Sequence, residues 1–249
     1  MKVTIITAVL NSVTTIEDCI RSVCSQSYPN IEHIIIDGGS TDGTIEVIKR
    51  YMDSISMFIS EPDNGMYDAI NKGLMNARGD VVGILNADDF YANEKVIEKI
   101  VEVFKKNGVD SCYGDLIYVD KEDPDKIVRY WKSKPFRSIS FMYGWHPPHP
   151  TFFVRKWVYD KYGFFNPDFK IAGDYELMLR FIEKNKISTS YIPEVLVKMR
   201  IGGISNKSLK NIILQTCEDY KAWRLNGLHS GFFAVFLKKI RKIFQFFQS

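Results

Sequence analysis

The stretch Val81-Val82-Gly83-Ile84-Leu85-Asn86-Ala87-Asp88-Asp89-Phe90-Tyr91 sets an apolar run directly against two adjacent carboxylates. The run has the length of a strand and is too short for an ordinary helix. A buried strand that stops in Asn86-Ala87-Asp88-Asp89 carries hard oxygen donors to the edge of a sheet. A divalent cation can sit there with positions left open for phosphate oxygens. The competing reading is that Asp88 and Asp89 cap a helix beginning near Asn93.

Upstream, Val3 to Val9 reads as a strand and Ile16 to Ser25 as a helix, with Ile16, Cys19, Ile20 and Val23 on one stripe. Ile31 to Ile36 is a second buried strand. It runs into the turn-rich Asp37-Gly38-Gly39-Ser40-Thr41-Asp42-Gly43-Thr44 and a helix bearing Ile45, Val47, Ile48 and Tyr51. Ser56 to Ser60 is a weaker strand, followed by the loop Glu61-Pro62-Asp63-Asn64-Gly65 and a helix from Met66 to Ala77. This alternation predicts an α/β fold with a Rossmann-like, mostly parallel sheet flanked by helices. Such sheets bind ligands beyond the carboxyl ends of their strands, and the loops after Val9, Ile36, Ser60 and Leu85 all open on that side.

A chain of 249 residues with 45% hydrophobic and 25% charged residues fits one large soluble domain with a real core. The net charge of +3 is unevenly spread, because residues 207–249 hold eight Lys or Arg against two acids. A body that is not basic argues against a nucleic-acid partner. Cys19, Cys24, Cys112 and Cys217 form no Cys-x-x-Cys pair and no zinc-like spacing, so reduced thiols are expected. The first ten residues lack the pattern of a leader and no apolar run reaches about 18 residues, which predicts a cytoplasmic protein without a membrane span.

The second half is less regular. Asp110 to Asp120 and Lys126 to Trp131 read as strands around a turn, with Tyr113, Tyr118, Tyr130 and Trp131 available for packing or for stacking on sugars. Phe141 to Phe153 is too Pro-rich for a helix and carries His146 and His149. Ile171 to Arg180 opens a helix with Asp174 at its start. A strand from Ser188 to Met199 leads into Arg200-Ile201-Gly202-Gly203-Ile204-Ser205-Asn206.

Four motifs in order, Thr7-Ala8-Val9-Leu10-Asn11, Asp37 to Thr44, Asn64-Gly65-Met66-Tyr67-Asp68-Ala69-Ile70-Asn71-Lys72-Gly73 and Asn86-Ala87-Asp88-Asp89, resemble the family-two glycosyltransferases, which have the A-type glycosyltransferase fold. The resemblance covers about residues 1–205. It implies an inverting enzyme that uses a nucleotide sugar, most often a UDP-sugar, with Mn²⁺ or Mg²⁺. By the same likeness Thr7, Ala8, Val9 and Asn11 line the base, and Asp37 contacts the uracil or ribose. Gly65 permits a tight backbone turn near the ligand or serves the loop alone, and Lys72, beside Asn71, offers a cation to the diphosphate unless it is simply solvated. Most relatives read Asp-x-Asp-Asp. Here Asn86, next to Ala87, hydrogen-bonds a ribose hydroxyl without adding charge, leaving Asp88 as the principal metal ligand and Asp89 as a second candidate. Asp174 matches the base that takes the proton of the acceptor hydroxyl. Glu176, two residues on, points elsewhere on the helix. His149 is a candidate for a phosphate or acceptor hydroxyl, or a turn histidine bonded to backbone. Arg200 is a candidate for the diphosphate under a closing loop, or an ordinary surface Arg.

The expected protein therefore has a glycosyltransferase domain at 1–206, divided into a nucleotide-sugar half (1–92) and an acceptor half (93–206), and a basic helical extension at 207–249. Its acceptor is expected to be a lipid-linked or oligosaccharide hydroxyl in bacterial surface polysaccharide synthesis. A sugar-nucleotide pyrophosphorylase is the less apt alternative, because its Gly-x-Gly-x-Arg loop is missing. A nucleotide-sugar-binding partner subunit without catalysis stays open because of Asn86. On residues 231–249 a helix would gather Phe233, Phe236, Leu237, Ile240, Phe244 and Phe247 opposite Lys238, Arg241, Lys242 and Gln245. That pattern suits peripheral attachment to the anionic inner face of the cell membrane, or docking on the protein's own body or a second subunit.

Overall fold

The computed structural model describes residues 1–202, 208–229 and 231–245. Its first half follows the strand-helix rhythm: β1 (Val3–Val9), α1 (Ile16–Cys24), β2 (Ile31–Asp37), α2 (Thr44–Lys49), β3 (Met57–Ser60), α3 (Met66–Asn76) and β4 (Val81–Ile84). These four strands are parallel in the order β3-β2-β1-β4, with Val9 beside Asp37 and Ile6 beside Ile84. Both faces are covered. Ile6 of β1 joins α3 in one core, while Val3, Ile5 and Val9 join α1 in another. Two covered faces make the strands read as continuous apolar runs rather than alternating ones.

Beyond β4 come β5 (Phe90–Tyr91), α4 (Val96–Asn107), β6 (Ser111–Val119), β7 (Ile127–Trp131), β8 (Phe153–Arg155), α5 (Lys156–Tyr162), α6 (Gly173–Met178) with a π-helical continuation over Leu179–Lys184, and β9 (Thr189–Arg200). The sheet continues β4-β8-β6-β9-β5, and β7 hangs on β6. Here it is mixed: β8 is antiparallel to both β4 and β6, whereas β6 and β9 are parallel. The reading of Asp88 and Asp89 as a helix cap is corrected. Helix α4 starts only at Val96, where the Asn93 side chain accepts the Lys95 amide at 2.9 Å.

The extension forms α7 (Leu209–Leu225) and α8 (Gly231–Gln245). It is not an appendage. Ala222, Trp223, Ala234 and Val235 are buried in the same core as Tyr67 and Tyr175, and a Cβ on Gly144 would stand 2.2 Å from the Lys238 amide nitrogen. No described helix is long and apolar enough to cross a membrane.

Candidate active site

The polar loops after β1, β2, β3 and β4 gather at one edge of the sheet, and their hydrogen bonds show which side chains are already engaged. Asp37, fully buried, accepts the Gly39 and Ser40 amides at 3.1 Å each and the Ser60 hydroxyl at 2.7 Å. Asp37 thereby shapes the loop after β2 with hydrogen bonds on both sides of its carboxylate. A Cβ on Gly38 would meet Asp63 Oδ2 at 2.4 Å, so a side chain here would push the Asp63 carboxylate aside. Asn11, at φ 48°, donates its amide to Ser40 Oγ at 2.8 Å and accepts the Thr41 amide at 3.0 Å.

The reading of Thr7 is corrected. It is fully buried and bonded to His33 Nε2 at 3.1 Å, and Val9 is core, so Ala8, Leu10 and Asn11 supply what surface this segment keeps. Burial pushes the His33 imidazole down to about 4. An unfolded histidine takes its proton near 6.5, and the folded one only near 4. Stability is therefore full above about pH 6.5 and is lost as the pH falls through that window, by about 3 kcal/mol. Denaturant titrations at pH 7.5 and 4.5 should show this loss, and His33→Gln should flatten it.

Two helix residues also have other duties. Asn71 donates to the Phe165 carbonyl at 2.8 Å and accepts its amide at 3.0 Å, which joins α3 to the chain leading to α6. Lys72 pairs with Glu61 at 2.8 Å and ties that loop to its own helix. Each therefore has a structural partner distant in sequence, the Phe165 backbone for Asn71 and Glu61 for Lys72. Gly65, at φ 114° with nothing within 4 Å of a Cβ, starts α3 in a backbone conformation that favours glycine.

The acidic turn is stapled from within. Asn86 donates to Asp89 Oδ2 at 2.8 Å, which accounts for an amide at this place: a carboxylate would bring a third negative charge and no donor. Asp89 is fully buried, and burial first, then the Asp88 charge, push its carboxyl well above the usual range. Its Oδ2 is taken by the clamp to Asn86, while its buried Oδ1 has no partner among the described residues. Arg200 is corrected too. Only 4% exposed, it donates to the Asp88 carbonyl at 2.9 Å, pairs with Asp18 and lies over the Phe90 ring, so it braces the turn from behind. Residues 203–206 of the expected closing loop lie outside the described residues. What remains in front is the half-buried Asp88, whose carboxylate has no hydrogen-bond partner among the described residues. A single hard oxygen donor of this kind fits a Mg²⁺ or Mn²⁺ that takes its other ligands from a diphosphate and water. No described cluster of three acidic, His or Cys residues offers a self-sufficient metal cage.

The second centre lies at the start of α6. The Tyr67 hydroxyl accepts the Gly173 amide at 2.9 Å and the Asp174 amide at 3.4 Å, and donates to the Ile171 carbonyl at 2.9 Å. Its ring stacks on Phe165 at 5.4 Å, and a Cβ on Gly173 would come within 2.6 Å of it. Asp174 is half-buried, and its carboxylate accepts no hydrogen bond from a described residue. Glu176 is the opposite case, held by Arg180 at 3.0 Å and by Asn226 at 3.0 Å.

Two histidines attend Asp174. His149, edge-on to Phe165 at 6.0 Å, is lowered by burial while Asp174 pulls it up. His146 shares a hydrogen bond of 2.8 Å with the Pro147 carbonyl through Nδ1, which leaves Nε2 as the acceptor. Burial and then Lys238 bring it down to about 3, against the pull of Asp174. An aromatic wall links the two acidic centres. Tyr118, which feels the Asp89 charge, stacks on Trp131 at 6.5 Å, and Trp131 meets His146 at 5.8 Å.

This arrangement has known relatives. The family model for glycosyl transferase family 2 matches residues 4–170. The chain belongs to glycosyl transferase family 2. An uncharacterised glycosyltransferase of Mycobacterium tuberculosis is 32% identical over 184 residues, covering 72% of this chain and 68% of that one. An uncharacterised glycosyltransferase of Haemophilus influenzae is 31% identical, covering 84% and 82%. Among solved structures, S. aureus TarS 1–349 in complex with UDP-GlcNAc superposes with a TM-score of 0.70 at 17% identity, over 91% of this chain and 65% of that one. The mannosyltransferase PcManGT of Pyrobaculum calidifontis, in complex with GDP-Man and Mn²⁺, gives 0.67 at 17% identity, over 90% and 63%. This glycosyltransferase spans only 39% of the longer TarS chain. The family match ends just short of Asp174, so what α7 and α8 add lies outside it.

Sequence reasoning missed Tyr67, His146, Glu218 and Lys238. Glu218, and Asp219 that pairs with Lys238, carried one signal: they are the only acids in residues 207–249.

Proposed function

We propose that this glycosyltransferase moves a sugar from a UDP-sugar to a hydroxyl of a lipid-linked or oligosaccharide acceptor in one inverting step, with Mn²⁺ or Mg²⁺. The observation that carries the reading is that the Asp88 and Asp174 carboxylates have no hydrogen-bond partners among the described residues, while both Asp37 and Glu176 are engaged. Asp88 would hold the cation against the diphosphate. The metal supplies Lewis-acid stabilisation of the departing diphosphate's charge. Asp174 accepts the acceptor's hydroxyl proton as that oxygen bonds the anomeric carbon from the face opposite the leaving group, so configuration inverts. His149 and the Nε2 of His146 are placed to orient acceptor hydroxyls beside it. Asn86 no longer favours a non-catalytic subunit, since its amide holds Asp89. Incubation with a panel of UDP-sugars and Mn²⁺ tests the reading by slow UDP release. No release from any donor, with either metal, would overturn it.

We place the enzyme in surface polysaccharide synthesis at the cytoplasmic face of the membrane, with α8 as the contact. Phe232, Phe233 and Phe236 are 81%, 53% and 57% exposed on this helix, beside the exposed Lys239. The expected division of faces needs correcting at Lys238, which turns inward to Asp219 at 2.8 Å and lies over the Tyr175 ring. Phe247 lies outside the described residues, as do the side chains of Arg241, Lys242 and Phe244. Because α8 is also part of the core, the informative variant is not a deletion but Phe232, Phe233 and Phe236 together replaced by Ser. The parent protein should float with vesicles containing anionic lipid at low salt, and the triple variant should not. A parent that stays in solution as a dimer would make this face a subunit interface.

A further inference from the structure

Five consecutive amides, from Lys170 to Asp174, precede or open α6, and none of them has an acceptor inside that helix. Two side chains take them all. The Tyr67 hydroxyl, from α3, receives those of Gly173 and Asp174. On the other side the Glu218 carboxylate, from the middle of α7, receives Lys170 at 2.8 Å on one oxygen and Ile171 at 2.9 Å and Ala172 at 2.8 Å on the other. Glu218 is 5% exposed and no cation pairs with it among the described salt bridges. A buried carboxylate needs compensation, and here the compensation is the backbone that carries Asp174. An anion at this end also suits the positive end of the helix.

Neighbouring contacts hold α7 against the same helix: Trp223 donates to the Tyr175 hydroxyl at 2.8 Å and Asn226 to Glu176 at 3.0 Å. We propose that Glu218 is a positioning residue for the base, which fixes the Asp174 carboxylate from α7 as Tyr67 fixes it from α3. The proposal rests on Asp174 being the base. It makes the C-terminal hairpin, beyond the family match, part of the catalytic apparatus. Misplacement of a reacting group by about 1 Å costs up to about 100-fold in rate, so the clamp matters for turnover more than for donor binding.

Glu218→Gln in the full chain keeps shape but replaces one accepting oxygen with an NH2 donor that faces backbone N–H groups. Transfer kcat should fall about 10- to 100-fold with the donor KM unchanged. Introduced into Asp174→Asn, the substitution should cause no further loss, because a misplaced group that no longer acts as base has nothing to lose. Tyr67→Phe, which leaves α7 untouched, should show the same signature and serves if Glu218→Gln does not fold. Unchanged kcat in both, a parallel loss of UDP affinity, or an additive loss in the Asp174→Asn background would overturn the proposal. Full transfer by Asp174→Asn alone would instead overturn the base assignment.

Discussion

Asp174→Asn is expected to lower sugar transfer by about 10²- to 10⁴-fold, the range that a positioned general base supplies, while UDP affinity stays within about twofold. The substitution is close to isosteric, and no described residue is left unpaired by it. The Asp174 amide keeps Tyr67, and the carboxylate has no hydrogen bond to a described residue that could be lost. What disappears is the negative charge opposite His146 and His149, both of which it pulls upward against burial. Those imidazoles therefore remain neutral in the variant, and a change in their protonation near neutral pH does not confound the assay. Single-turnover transfer and calorimetric UDP binding separate the outcomes. Normal transfer would remove Asp174 from the mechanism, and lost UDP affinity would assign it a structural part.

The parallel half of the sheet was legible because strands covered on both faces announce themselves as apolar runs, and Ile31 to Ile36 or Val81 to Leu85 leave little choice. Strand β8 was not legible. Phe153–Arg155 is three residues long, directly after a Pro-rich segment, and owes its place between β4 and β6 to pairing rather than to any local pattern. At the site, residue types were readable but directions were not. Thr7, Asn71, Lys72 and Arg200 are polar residues near the motifs, and each proves to be engaged by a partner elsewhere: His33, Phe165, Glu61 and Asp18. Sequence shows a hydrogen-bonding group and not whether that group is already satisfied. The extension misled for a related reason. Helical periodicity gives an apolar stripe but does not say that Ala234 and Val235 face the body while three phenylalanines face out. Nor does it place Lys238 beside Asp219 and Tyr175.

Asp88→Ala should abolish the metal-dependent part of UDP binding, so that affinity with Mn²⁺ falls to the value measured in chelator. Groups that merely support a metal ligand account for 10- to 100-fold in metal affinity, so loss of the ligand itself should cost at least about 100-fold. The fold should not suffer, for reasons visible in the turn. Arg200 binds the Asp88 carbonyl, which alanine retains, and the Asn86 to Asp89 clamp is independent of the missing side chain. Asp89→Ala should destabilise instead, leaving the Asn86 amide without its acceptor and a small void behind the turn. A chemical denaturation midpoint that holds for Asp88→Ala and decreases for Asp89→Ala, together with metal-dependent UDP binding lost in the first, would distinguish the ligand from the clamp. Metal-dependent UDP binding that survives in Asp88→Ala would move the cation to another donor.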